Sequence, residues 1–332
     1  LIAGGGDLEG LLRSTFGDRA RPDAFNYLNG MAHMAWVVST VFVLLAIAAG
    51  LPVVVDKPLA ATSTEGREVV EEAASQGIDL KIVVIGGTGL IGSKVVSTLN
   101  EHGHDAIAAS PASGVDILTG AGLAEVLTGA DVIVDVANSP SFEDGPAWDF
   151  FTTAAANLLT AGEAAGVSHY LALSVVGTDR LQDSGYFRAK AAQEKLIAEG
   201  AMPFTIVRAT QFFEFVGRIA DSATEGDTVR ISPALSQPMA ADDVAAAVAR
   251  AAVGGPVGGI VEVTGPDRRG LDDLVTEQLT AHGDPRRVVA DRTAPYFGVV
   301  LDDHTLVAGT AATVFPTTFS EWLAGTIAAP AR

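Results

Sequence analysis

Two side chains that can exchange a proton stand at Tyr186 and Lys190, in the stretch SGYFRAKAAQEKLIAEG. On a helix a spacing of four residues puts both on one face, one turn apart. Four tyrosines and five lysines scattered over 332 residues would give roughly 0.06 such helix-neighbour pairs by accident, so chance is a poor explanation. Chemistry supplies a better one. A phenol with an ordinary pKa of ~10 must give or take a proton near neutrality, and an adjacent ammonium favours the phenolate by Coulomb attraction. Upstream, HYLALSVVG predicts a strand ending at Ser174. A hydroxyl there lies at the edge where open parallel sheets bind ligands, and can polarise a carbonyl oxygen.

Such a pair needs a second reactant held against it, and the sequence carries an element suited to that in KIVVIGGTGLIGSKVV, Lys81 to Val96. IVVI is a continuous β-branched run, as in a central strand buried on both faces. Gly86 then permits a tight turn, Gly89 lets backbone approach a pyrophosphate, and Gly92 allows a helix over Leu90–Leu99 to pack closely on the sheet. The amides of Gly86, Gly87, Thr88, Gly89, Leu90, Ile91 and Gly92 are thereby aimed at an anion. A glycine triplet is a weak signal in a chain with 36 glycines. Its setting strengthens it: the later strands HDAIAAS and ADVIVDVAN complete a βαβ alternation and predict a doubly wound parallel α/β sheet. The second strand ends at Ser110-Pro111. With no carboxylate there to grip a ribose 2′-hydroxyl, NADP is favoured, and with no arginine there NAD is also admitted.

The GGTGLIG turn, Ser174 and the Tyr186-x-x-x-Lys190 pair together resemble the short-chain dehydrogenase/reductase superfamily, in its atypical or extended, NmrA-like branch, over residues 80–325. The resemblance implies a Rossmann sheet and NAD(P)-dependent hydride transfer to or from a carbonyl/alcohol or quinone-like small molecule. Tyr186 would be the acid/base, Lys190 its electrostatic and ribose partner, and Ser174 the oxygen polariser. Asp116 and Ile117 would meet the adenine, and Ala137, Asn138 and Ser139 the coenzyme ribose. Ala209, Thr210 and Gln211 would lie by the nicotinamide carboxamide. The chain departs from many relatives at Val175, where they carry a second hydroxyl. NmrA-like proteins also include redox sensors that bind dinucleotide without chemistry, so a non-catalytic sensor or assembly protein is the alternative. Those sensors generally lack the tyrosine kept here.

Around this core the sequence divides into an extension (1–79), a Rossmann domain (80–210) and a substrate lobe (211–330) partly interleaved with the sheet. From Met31 to Val55 no charged residue occurs. Gly50 and Pro52 limit the apolar helix to Met34–Ala49, which spans only ~24 Å of a ~30 Å hydrocarbon core. A cytoplasmic protein is expected, with membrane association through residues 31–55 as the alternative. Residues 37–78, with the turn Asp56-Lys57-Pro58, resemble a fragment of the Gfo/Idh/MocA oxidoreductases. That family's nucleotide turn and large sheet domain do not accompany it, so Lys57 is given no catalytic role.

In the lobe, QPMAADDVAAAVARAA predicts a helix capped by Asp242 or Asp243, GIVEVTGPD a final strand, and LDDLVTEQLTAHGD and FSEWLAGTIA two amphipathic helices. Phe212, Phe213 and Phe215 are candidates for a substrate wall or for core. Asp302-Asp303-His304 reads as a solvated turn rather than a metal site. A formal charge of −19 makes nucleic acid an improbable partner, and the absence of cysteine removes disulfides, thiolate catalysis and Cys-based zinc sites. Oligomeric state and substrate identity have no readable signature.

Overall fold

Five largely apolar runs become β1 (Lys81–Ile85), β2 (Asp105–Ala109), β3 (Val132–Asp135), β4 (His169–Val175) and β5 (Phe204–Ala209). The computed structural model describes residues 79–328; the expectations for 1–78, including the apolar stretch 31–55, Lys57 and the 37–78 resemblance, lie outside them. Later come the short strands β6 (Thr224–Glu225), β7 (Thr228–Ile231) and β8 (Leu235–Ser236), then β9 (Gly259–Thr264). β10 (Arg269–Gly270), β11 (Arg287–Ala290), β12 (Pro295–Tyr296), β13 (Val299–Val300) and β14 (Thr313–Val314) follow. The central sheet has the order β14-β9-β5-β4-β3-β1-β2, and every pairing in it is parallel.

The helices are α1 (Leu90–Glu101), α2 (Leu123–Val126), α3 (Asp144–Ala165), α4 (Gly185–Glu199), α5 (Val216–Ser222), α6 (Ala241–Val253), α7 (Leu271–Ala281) and α8 (Phe319–Ala328). Successive strand residues point to opposite faces, and the two faces are covered by different helices. Ile82 and Val84 pack with Ile91 and Val95 of α1 and Val244 of α6. Val83 and Ile85 pack with Leu158 of α3 and Ile197 of α4. Apolar burial on both faces is why these strands lack the alternating polar residues of a half-exposed sheet. A further core joins Tyr186 and Phe187 of α4 to Val216 of α5, Leu274 of α7 and Phe319 of α8.

Two sequence expectations for the lobe are corrected. The strand in GIVEVTGPD is not the last of the sheet, because β14 pairs alongside it. Nor does Asp242 or Asp243 cap α6: the cap position is Ala240, and the amide of Ala241 donates to both oxygens of Glu214 at 3.2 Å. The capping carboxylate comes from a turn 27 residues away, which no local pattern reveals. Asp242 instead pairs with Lys94 at 2.6 Å, and Asp243 accepts from the Thr317 amide at 3.2 Å. No helix among the described residues is long and apolar enough to cross a membrane.

β1 has β2 on one side and β3 on the other, so the loops leaving β1 and β3 diverge at the carboxyl edge. That is the switch point at which open parallel sheets form a ligand crevice.

Candidate active site

The turn after β1 is built so that only glycine fits. Gly86 has φ +77°, and a Cβ on Gly92 would stand 2.2 Å from Gly86 O and 2.7 Å from Gly87 Cα. α1 is therefore seated directly on the turn. Its cap is Gly89, without a side-chain hydrogen bond, so the first-turn amides of Leu90, Ile91 and Gly92 precede the helix's own ladder and are available to an anion. The amides of Gly86, Gly87 and Gly89 are instead committed to the carbonyls of Ala109, Val84 and Gly86, so the cradle that fits a dinucleotide pyrophosphate rests on the first turn of α1.

The other cofactor candidates are spread along the same edge. Ser110 is buried, and its amide donates to Ser113 Oγ at 2.9 Å. Asp116 closes its own turn: its carboxylate accepts from the amides of Leu118 and Thr119, which hold it below the usual carboxylate range. Ile117 lies half-buried, its carbonyl accepting from Asn157 Nδ2 at 2.9 Å. The Ala137 amide donates to Asp135 Oδ1 at 3.1 Å. Thr210 is fully enclosed, with its hydroxyl 3.3 Å from that of Thr264. Gln211, only 8% exposed, has no partner for either its amide nitrogen or its amide oxygen.

Tyr186 and Lys190 are brought together on the buried face of α4. The Tyr186 hydroxyl donates to Asn138 Oδ1 at 2.9 Å, linking α4 to the loop after β3. Burial pushes the phenol well above its ordinary range, and the Asn138 hydrogen bond acts against that rise. Lys190 Nζ donates to Leu173 O at 2.9 Å and to Gln193 Oε1 at 2.5 Å, and lies 4.6 Å from the centroid of the Phe151 ring. An ammonium has three N–H groups, so one remains for another acceptor. Burial lowers Lys190 to about 8, against the attraction of Asp135 and Glu194.

Asp135 was not singled out from sequence. It ends β3 as a buried carboxylate, accepting from Tyr170 OH at 2.9 Å and Gln193 Nε2 at 3.0 Å. Burial raises its pKa, while Lys190 and these donors oppose the rise. The ammonium, the Gln193 amide and the carboxylate thus form one buried hydrogen-bonded chain between α4 and the end of β3. A charged residue closing an apolar strand is the only local hint of it.

Ser174 does not join this group. Its hydroxyl donates to Glu194 Oε1 at 2.5 Å, and Glu194 grips Arg208 through two bonds of 3.0 and 2.6 Å. The two charged side chains are 8% and 11% exposed. Removing one member of such a pair leaves a buried charge uncompensated, so Arg208→Leu should lose about 3–5 kcal/mol of stability. Ser174→Ala removes a single hydrogen bond to a carboxylate and should lose less, about 1.5 kcal/mol. Thermal or urea unfolding of the two variants checks this ordering; equal losses would contradict it.

The ring of Tyr186 is surrounded by phenylalanines: Phe142 at 5.1 Å between centroids, Phe187 at 5.3 Å, Phe151 at 5.6 Å and Phe297 at 6.4 Å. Phe151 and Phe187 are core, whereas Phe142 is 52% and Phe297 43% exposed. Phe297 and Gly298 are the two central residues of the hairpin joining β12 to β13, where Tyr296 pairs with Val299. Both have positive φ, +47° and +85°. Such turns favour Asn or Gly, and a phenylalanine there costs about 1–2 kcal/mol. Sequence reasoning missed Phe297 because Phe-Gly is not a recognised turn pair, and Phe142 because a lone ring in a polar loop carries no local signal. It put forward Phe212, Phe213 and Phe215, which lie elsewhere. Phe213 is core against Phe319 and Trp322, and Phe212 stacks on Phe215 at 5.6 Å. At Asp302 the carboxylate accepts from the His304 amide and the Thr305 hydroxyl, and Asp303 pairs with Arg292. No group of three or more potential metal ligands occurs among the described residues.

Residues 86–253, half of the chain, match a protein-family model described as NAD(P)H-binding. No curated protein matches the sequence. Similar solved structures include a dTDP-4-dehydrorhamnose reductase from Bacillus anthracis in complex with NADP. It is 15% identical, with 75% of this chain and 97% of that chain covered and a TM-score of 0.56. An ortholog from Clostridium acetobutylicum is 14% identical over 74% of this chain and 98% of its own, with a TM-score of 0.57. A dTDP-glucose 4,6-dehydratase from Streptomyces venezuelae with NAD bound is 19% identical over 74% and 95%, with a TM-score of 0.56. At these identities the likeness establishes a common fold.

Proposed function

The chain belongs to the NAD(P)H-binding family, and from that premise we propose that it is an oxidoreductase of the short-chain, NmrA-like type. It would move hydride between NADP(H) and a carbonyl/alcohol or quinone-like small molecule. The observation that carries this reading is the buried Tyr186–Lys190 pair, one turn apart beside the loop after β3, on the same sheet edge as the glycine cradle.

The bound coenzyme supplies or takes up hydride at the substrate carbon. The chain's own part is the proton. In reduction Tyr186 gives its hydroxyl proton to the carbonyl oxygen as the carbon accepts hydride, so that C=O becomes CH–OH, and Tyr186 is later reprotonated from solvent. Burial keeps the phenol protonated through the neutral range, the state a donor requires. Lys190 stabilises the phenolate left behind, and its remaining N–H suits a ribose hydroxyl. The open amide of Gln211 suits a carboxamide, and the lack of a carboxylate at Ser110 suits NADP.

The pH dependence follows from Lys190. Its folded pKa of about 8 lies below the ordinary 10.5. Between those values the unfolded chain binds more protons than the folded one, so stability rises with pH; the penalty of burying the charged amine is fully present below about 8. Coenzyme affinity should run the other way, falling as pH rises through about 8 and the amine loses its charge. Calorimetric titration from pH 6.5 to 9.5 tests this, and Lys190→Met should abolish both slopes.

One observation favours the rival, a coenzyme-binding sensor without turnover: the Ser174 hydroxyl is committed to Glu194. Titration with NADPH, followed by assay against a panel of ketones, aldehydes and quinones, separates the two. Tight binding with no turnover, unchanged in Tyr186→Phe, would establish the sensor.

A further inference from the structure

We propose that Phe142 and Phe297, packed on each other, present one shared apolar face, a one-sided clamp, on which a flat aromatic ring stacks, so that the substrate is an aryl carbonyl compound or the corresponding benzylic alcohol rather than a sugar nucleotide. This deepens the reading above, since it takes Tyr186 as the proton donor.

Four phenyl rings surround the Tyr186 ring, two of them buried and two accessible, while the hydroxyl itself meets Asn138. Aromatic groups pair favourably at centroid separations of about 4.5–7 Å, the range these rings already occupy among themselves. The two that remain accessible sit on separate supports: Phe142 on the loop leaving β3 and Phe297 on the β12–β13 hairpin, 5.4 Å apart. Phe297 packs on Phe142, Tyr186, Phe187 and Tyr296, which offsets its strained backbone, yet it stays 43% exposed, and a strained residue of this kind at a site points to function.

A hexose would bring hydroxyls that need hydrogen-bond partners on burial, and its diphosphate would call for guanidinium groups. In the C-terminal lobe Arg230, Arg269, Arg286 and Arg292 each pair with an aspartate or glutamate, whereas Arg268 bonds to Gln237 and Arg218 lies over the Phe215 ring. An aryl ketone places no such demands, and its ring can stack on the clamp with the carbonyl turned to Tyr186.

The test is calorimetric binding of acetophenone, cyclohexyl methyl ketone and UDP-glucose to the protein, with NADP⁺ and without it. The two ketones share size and carbonyl and differ in the flat ring. Acetophenone should bind about tenfold tighter than cyclohexyl methyl ketone, one aromatic contact's worth. Phe142→Ala and Phe297→Asn, the latter suited to the hairpin backbone, should each remove that preference while leaving NADP⁺ affinity intact. Equal affinity for the two ketones, tighter binding of UDP-glucose, or parallel loss of acetophenone and NADP⁺ affinity overturns the clamp. Failure of wild-type protein to bind NADP⁺ would instead reject the coenzyme reading, and the ketone comparison without coenzyme would still decide the clamp.

Discussion

Tyr186→Phe should lower kcat by about 10²–10⁴, the range a positioned general acid contributes, with little change in coenzyme affinity. The substitution removes one oxygen and keeps the ring, so the packing against Phe142, Phe151, Phe187 and Phe297 is preserved. What disappears is the proton donor and its 2.9 Å bond to Asn138 Oδ1. Asn138 is exposed and can turn to water, so the stability loss should stay near the ~1 kcal/mol of an ordinary hydrogen bond. Steady-state kinetics on any accepted carbonyl, paired with NADPH titration, makes the check. A variant that retains more than a tenth of wild-type kcat would remove Tyr186 from the chemistry.

Gly92→Val should raise the dissociation constant for NADP(H) by about a hundredfold, taking two charge-assisted phosphate bonds as lost at about 1.5 kcal/mol each. The new Cβ alone would lie 2.2 Å from Gly86 O and 2.7 Å from Gly87 Cα. These are backbone atoms of the turn itself, so relief requires α1 to lift off the cradle and carry its first-turn amides away from the anion. Overpacking of this kind also costs about 1–3 kcal/mol of stability. Gly103, by contrast, has open space around it, but with φ +88°. Gly103→Asn, which tolerates that conformation, is therefore the control and should bind coenzyme normally. Coenzyme affinity retained in Gly92→Val would mean that the phosphates bind somewhere else.

What was legible in the sequence was local. IVVI reads as a strand because a parallel strand buried on both faces must be apolar at every position. GGTGLIG reads as an anion turn because each glycine answers a short-range steric demand, and Gly92 meets Gly86 across only six residues. Tyr186 and Lys190 read as neighbours because helical pitch alone sets their spacing.

Tertiary structure decided which groups face which. Ser174 was correctly placed near a strand end, yet its hydroxyl direction depends on Glu194 and Arg208, contributed by a helix and a neighbouring strand. Asp135 acquires its role from Tyr170 and Gln193, 35 and 58 residues away, and Glu214 caps a helix it does not belong to. Phe142 and Phe297 meet over Tyr186 only because a loop after β3 and a hairpin near the C-terminus converge on α4. Periodicity constrains a residue's own element, whereas the partner of a buried polar group or an exposed ring is set by how distant elements pack, and that information is spread over the whole chain.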